Sequence, residues 1–496
     1  MNRILLSFAL FVLSVSPVAA QEKPVEEKLA DAINGERWFE LNDIYTQYND
    51  RIQSDFLKKL SRFYIHHFYN RPDSALAIAP DLLNNYQQEL GGSIPNVMHT
   101  FAVDLTRIGD YNEAANAMKM LCDAFVQSGD STSEHYKAYH AYYQEYKSLA
   151  DAGNILAIVK PRRDVMVPFF FSGTKEAPYA IVVEGKLNGL DEEFVWDTGA
   201  GANVISTRMA AKYKLKMLDG GMPVSGYGKT ATRLAVADSL SLGEIKLYNV
   251  PFYIVDTDTG NEEANAAIGG IKPVIGISVM QKLEEFRIDM HKSVIIIPDV
   301  LTKPQPSNIC LNRSNNLYLR LYSNNSMLEM KFDTGMYNTC LSSLYYDRNK
   351  EAVEGTGKPF LLRMAGIGGV KMVQSYVLPG FTCRIGKNEL HVDSVYVQTE
   401  PTLSDDKDGT MGFDILVRQW KAVVNLKDMF IEIIPPLGNP GLSATVPGIS
   451  LKNGKRIQMN ATVSPAVPVS NSPSIETKFV RGSNGAITAE PVYPDR

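Results

Sequence analysis

A chain of 496 residues is more than one hydrophobic core organises, and predicts two to four domains. With 45% hydrophobic and 21% charged residues it has the composition of ordinary globular protein, and its net charge of −5, with scattered Lys and Arg, gives no electrostatic basis for binding nucleic acid. Cys122, Cys310, Cys340 and Cys383 lack paired C-x-x-C spacing, so no zinc site, other metal or cofactor is called for; any disulfide pairing among them stays open.

Residues 1–20 read as a signal peptide. Arg3 supplies the positive start, Ile4 to Val15 the apolar run, and Val18-Ala19-Ala20 the small-residue cleavage site before Gln21. The run is too short to span a bilayer comfortably. The expectation is an exported protein, periplasmic or secreted, in a Gram-negative-type envelope, with no stable membrane span after signal removal.

Residues 21–155 carry a helical pattern. Phe56-Leu57-x-x-Leu60-x-x-Phe63-Tyr64 and Tyr111-x-x-Ala114-Ala115-x-Ala117-Met118-x-x-Leu121 place apolar residues three and four apart, as a helix with one packed face requires. Gly91-Gly92, Gly109-Asp110 and Ser128-Gly129-Asp130 break the run into antiparallel hairpins. The stretch from Gly109 to Ala114 resembles the start of a second helix in a tetratricopeptide repeat, but no strict period accompanies it, and a plain helical bundle is the equal alternative. Tyr136, Tyr139, Tyr142, Tyr143 and Tyr146 read as core and rim, and His66-His67 as structural. A protein partner for this domain is left open.

The periodicity changes over residues 153–165, where Ala157 to Arg163 closes the helical region. Short strands punctuated by Gly and Asn then run from Val165 to Pro436, with only short helices between them. Two stretches stand out: Phe194-Val195-Trp196-Asp197-Thr198-Gly199 and Met330-Lys331-Phe332-Asp333-Thr334-Gly335. In each, a strand delivers a carboxylate at its end, on a tight turn. One Asp-Thr-Gly arises by chance in roughly one chain in ten of this length, so the surroundings decide. Pro273-Val274-Ile275-Gly276-Ile277 and Thr410-Met411-Gly412-Phe413 follow at equal distance, since 276 − 197 and 412 − 333 are both 79. Paired closing strands come next, Phe286 to Met290 with Val294 to Ile297, and Ala422 to Leu426 with Phe430 to Ile434. This is an internal repeat, a duplicated unit over 165–300 and 301–436. Between the motifs lie glycine-rich hairpin candidates, Gly226-Tyr227-Gly228 and Gly366-Ile367-Gly368, at offsets of 29 and 33 from the aspartates. Asp256, Asp289, Asp393 and Asp414 read as caps or solvent-facing turn residues, with support of the second Asp-Thr-Gly loop as the alternative for Asp414, which follows Gly412-Phe413, and Asp405-Asp406-Lys407-Asp408 reads as a solvated turn. Residues 437–496, rich in Pro, Ser, Asn and Gly, read as a flexible tail, with an added strand pair as the alternative.

These paired motifs resemble the lobe of retropepsin-like and pepsin-like aspartic proteases, over residues 165–436. The resemblance implies an α+β multidomain chain, an N-terminal α-helical domain followed by two all-β acid-protease lobes, acting as an exported aspartic endopeptidase on a peptide or protein substrate without metal or cofactor. Asp197 and Asp333 would be catalytic, bracketing one water and sharing one proton. Thr198, Gly199, Thr334 and Gly335 would support the two loops, the threonines by bonding across the lobe interface. Gly226, Tyr227 and Gly228, with Gly366, Ile367 and Gly368, would form flaps. Ala200 and Met336 replace a hydroxyl residue of the pepsin-like enzymes; retropepsin-like sequences tolerate Ala there, whereas Met336 departs from both. Two other readings stand beside this one: a catalytically weak protease fold serving as an envelope binding protein, and an enzyme whose aspartates meet between chains.

Overall fold

The structure is a computed structural model that describes residues 23–173, 178–221, 224–225, 229–230, 232–255, 272–366, 369–402 and 407–436, and four strands beyond them. The signal candidate 1–20 lies outside the described residues. A helical region precedes a β-rich region. No helix among the described residues is long and apolar enough to cross a membrane.

The helices form where the apolar spacing and caps require. Asp55–Phe68 starts at Ser54, whose hydroxyl accepts from the Leu57 amide, and buries Phe56, Leu57, Leu60, Phe63 and Tyr64 along one face. Ile94–Ile108 stops at Gly109 in the left-handed region (φ +91°), and Tyr111–Gln127 begins at once with Asp110 capping the Glu113 amide. Tyr139, Tyr142 and Tyr146 of Glu134–Asp151 are buried, and His67 is buried with Nδ1 2.9 Å from Asp104 Oδ1.

Ala157–Val159, expected to close the helical region, is instead an edge strand, antiparallel to Ile245–Val255. The reason is local: Leu156 takes a left-handed turn (φ +55°), and the β-branched Ile158 and Val159 then extend along the sheet.

Two β units follow with matching internal order. In the first, Leu190–Trp196 runs parallel to Val274–Ile275, which lies beside Val204–Ser206; in the second, Ser326–Phe332 runs parallel to Gly409–Met411, which lies beside Cys340–Leu341. The closing hairpins Glu285–Asp289/Val294–Ile297 and Lys421–Asn425/Phe430–Ile434 join in one continuous sheet, Glu285 opposite Asn425 and Asp289 opposite Lys421. Strand Val165–Gly173 extends that sheet into the first unit. The helical stretch Ser343–Thr356 is kinked at Asn349 (φ −127°) into two short helices, in keeping with the expectation of only short helices here. It buries only Ser343 and Val353, so its sequence carries almost no apolar stripe to read.

The helical region packs on both units. Arg313 pairs with Glu36 and lies 5.9 Å from the ring centres of Trp38 and Tyr64, and Arg320 holds Asp43 at 2.8 Å. Tyr253 donates to Glu145 at 2.6 Å. All four cysteines are buried thiols outside any disulfide. In the stretch read as a tail, the described segments are strands: Thr462–Ser464 runs parallel to Met364–Gly366, Val467–Pro468 runs antiparallel to Val224–Ser225, and Glu476–Arg481 pairs with Ile487–Val492.

Candidate active site

Both Asp-Thr-Gly turns leave the ends of strands that are hydrogen-bonded on both sides, and they meet at the boundary between the β units. The Asp197 amide donates to Ile275 O at 3.0 Å and the Asp333 amide to Met411 O at 3.0 Å, so each turn is tied to its partner strand in the same way. Within each turn the glycine amide bonds the aspartate, Gly199 N to Asp197 Oδ1 at 2.7 Å and Gly335 N to Asp333 Oδ1 at 2.9 Å.

The threonines cross the boundary reciprocally. Thr198 N donates to Thr334 Oγ1 at 3.1 Å and Thr334 N to Thr198 Oγ1 at 3.0 Å. Each hydroxyl then donates to the opposite strand, Thr198 to Phe332 O at 2.7 Å and Thr334 to Trp196 O at 2.6 Å. Four bonds with no exposed member fix the relative position of the two turns.

The glycines show how close the carboxylates come. A Cβ on Gly199 would lie 2.2 Å from Asp333 Cγ, and one on Gly335 would lie 2.5 Å from Asp197 Cγ. Each carboxylate therefore faces the backbone of the other turn, an approach that only glycine permits. Asp197 and Asp333 are almost wholly buried, 0% and 1% exposed. Burial, and after it the Asp333 charge, push the Asp197 carboxyl well above the usual range, against the Lys331 charge and the Gly199 amide.

Of the residues singled out in the sequence, the structure brings together Asp197, Thr198, Gly199, Asp333, Thr334 and Gly335. Ala200 and Met336 occupy equivalent positions behind the turns, with Ile277 N donating to Ala200 O and Phe413 N to Met336 O at 2.8 and 2.9 Å; Met336 is buried, and its amide donates to Asp333 O at 3.4 Å as that of Ala200 does to Asp197 O. The strand pairs Val224–Ser225/Lys229–Thr230 and Lys358–Gly366/Gly369–Ile385 end at the hairpin candidates. Gly366 closes its strand, while Gly226, Tyr227, Gly228, Ile367 and Gly368 lie outside the described residues. No group of three metal-ligating side chains occurs among the described residues.

Two more residues join the site. Asp414, for which the sequence offered support of the second loop as the alternative to a cap or turn, accepts from Thr339 N at 2.8 Å, Thr339 Oγ1 at 2.6 Å and Ile415 N at 2.8 Å, and Thr339 Oγ1 accepts from Gly412 N at 3.2 Å. It thereby braces the second loop, as Asn203 braces the first by accepting from Gly276 N at 2.9 Å. Desolvation pushes the Asp414 carboxyl up to about 6, against those hydrogen bonds. Lys331 was taken as part of an apolar strand; its Nζ lies 3.6 Å from Asp333 Oδ2, and the side chain is 11% exposed. The signal for it was a lysine at the place that Val195 fills in the first repeat, 136 residues earlier, as Asp197 is to Asp333.

A separate cavity of about 630 Å³ opens between the helical region and both β units; Arg107, Tyr142, Tyr253, Lys282 and Arg313 line it, and neither aspartate does.

An aspartyl protease family model matches residues 183–278, a stretch that contains Asp197-Thr198-Gly199 and Gly276 but not the second Asp-Thr-Gly. No curated protein matches the chain.

Proposed function

We propose that the protein is an aspartic endopeptidase whose two carboxylates, Asp197 and Asp333, come from the two β units of one chain and together activate a water for peptide hydrolysis. The observation that carries this reading is the four-bond threonine lock, which holds two carboxylates against each other in a buried site. Bringing like charges together out of water is costly, and a site that does so has a use for one shared proton.

In such a pair one carboxylate is ionised and one protonated. The ionised member takes a proton from water as the water oxygen attacks the carbonyl carbon, and the protonated member gives its proton to the carbonyl oxygen. The result is a neutral tetrahedral diol. In its collapse the C–N bond breaks as the carboxyl that took the water's proton gives it to the amine nitrogen, and a diol hydroxyl returns its proton to the other carboxylate, leaving an acid, an amine and the pair as it began. The amides of Gly199 and Gly335 hold one oxygen of each aspartate, so each carboxylate keeps its orientation through the cycle.

The same reading takes the protein to be exported, on the strength of residues 1–20, and its substrate to be a peptide or protein. The test is active-site titration with a peptide in which the scissile amide is replaced by a hydroxyl-bearing tetrahedral carbon. One inhibitor bound per chain, with loss of peptide cleavage at that ratio, is expected; one per two chains would instead favour aspartates meeting between chains.

A further inference from the structure

We propose that Lys331 is a positioning residue that makes the aspartate pair asymmetric, its ammonium holding the negative charge on Asp333 and leaving the shared proton on Asp197. This rests on the hydrolytic reading of the pair given above.

The two turns are otherwise closely matched. Glycine amides bond both aspartates, threonines bond reciprocally, and the strands before the turns have the same neighbours. The side chain two residues before each aspartate projects from the same face of the strand as the aspartate itself. In the first unit it is the apolar Val195, and in the second it is Lys331. The cation lies 3.6 Å from Asp333 Oδ2, and little water separates or screens the pair, since the side chains are 11% and 1% exposed.

On the other side, Asp197 Oδ2 is buried, and apart from the Asp333 carboxyl nothing among the described residues bonds it. A neutral carboxyl tolerates that position far better than an anion does. Burial and the Asp333 charge push Asp197 in the same direction and outweigh the opposing pull of the Lys331 charge.

Among the described residues no other ion pair is formed by Lys331. The neighbouring strands place Tyr318 and Thr410 at its register. Glu329, two residues back on the same strand, is held by Lys407 Nζ at 3.2 Å, and Asp408 bonds the Glu329 amide and pairs with Arg348. The roles in hydrolysis follow. An Asp333 oxygen takes the proton from the attacking water as the C–O bond forms, and the Asp197 proton passes to the carbonyl oxygen.

Removing a cation beside the pair makes every negative charge on it harder to form, so both proton losses must move to higher pH. The test is titration of the aspartate carboxyl carbons by NMR in ¹³C-labelled full-length protein, with Asp197→Asn and Asp333→Asn used to identify the signals of the pair. It is run beside the pH profile of peptide cleavage. Lys331→Met is expected to raise both steps, and both limbs of the profile, by about 1–3 pH units, while Lys331→Arg keeps them near wild type. Lys331→Gln, which keeps a polar tip, serves in the same way if the Met variant does not fold. A folded variant whose steps do not move overturns the role of Lys331, and normal cleavage by it would leave the hydrolytic reading standing. Shifted steps in a chain that cleaves no peptide, with the Asp333 carboxyl carbon the first of the pair to ionise in wild type, would uphold the asymmetry and remove the hydrolytic reading; Asp197 ionising first would overturn the asymmetry.

Discussion

Arg287 and Val423 stand directly opposite each other where the two β units join, and each is the other's counterpart in the repeat. Their separation, 423 − 287 = 136, equals that of the aspartates, 333 − 197 = 136. The local twofold relation that brings the two Asp-Thr-Gly turns together therefore passes through this strand pair. The seam is hydrogen-bonded along five residue pairs, and the buried Glu285 carboxylate accepts from Asn425 Nδ2 and Thr302 N, both at 2.8 Å.

Because this seam joins strands of one chain, the half-sites cannot separate on dilution. Specific peptidase activity is expected to stay constant, within about twofold, from micromolar to nanomolar protein, as an intramolecular encounter requires. Activity measured across that range checks it; a steep fall would move the pair to an interface between chains.

The threonine lock makes a stability prediction. Thr198→Val removes the acceptor for Thr334 N and the donor to Phe332 O, leaving two buried backbone groups unpaired at a cost of about 1–3 kcal/mol each. The unfolding midpoint is expected to fall by roughly 5 °C or more. Thr198→Ser, which keeps the hydroxyl, should fall by less than half as much in the same thermal melt.

Asp414 makes a pH prediction. Its folded-state value of about 6 lies above the ordinary 3.8, so the native state holds this proton more tightly than the unfolded chain does. The resulting stabilisation is complete below about pH 3.8 and is lost as pH rises through about 6. Asp414→Asn has no such component. The stability advantage of wild type over this variant should shrink by an amount on the order of 1–3 kcal/mol between pH 4 and pH 7, read from melts at each pH; an advantage that grows with pH would contradict the assignment.

Arg313 ties the helical region to the β units through Glu36, Trp38 and Tyr64. Arg313→Leu strands the Glu36 carboxylate and removes the cation from two rings, a loss on the order of 2 kcal/mol. Limited proteolysis should then cut in the helical region several times faster, while the β units keep their melting behaviour.

How legible this was differs by feature. The repeat could be read because its spacing is preserved residue for residue, from the Asp-Thr-Gly turns to Gly276 and Gly412 and on to the closing strands that form the seam. Asp414 was legible as a candidate support of the second loop from its place just after Gly412-Phe413, but its partner Thr339 was not, because the proximity of Thr339 to Asp414 is a product of the fold. Lys331 could have been read by laying the two strands over each other, where Val195 and Lys331 differ in charge; treating the strand as simply apolar hid it. The two short helices within Ser343–Thr356 lack an apolar stripe, so periodicity had nothing to detect.

The central claim is that Asp197 and Asp333 act as one unit. The direct measurement is cleavage of a mixed peptide library, from acidic to neutral pH, by residues 21–496 and by the same chain carrying Asp197→Asn or Asp333→Asn. Wild type is expected to cut internal peptide bonds, and each single variant to lose at least about a thousandfold in kcat/KM while remaining folded, because residues acting together fail together. Near-normal cleavage by either variant, or no cleavage by a folded wild type, would contradict the account.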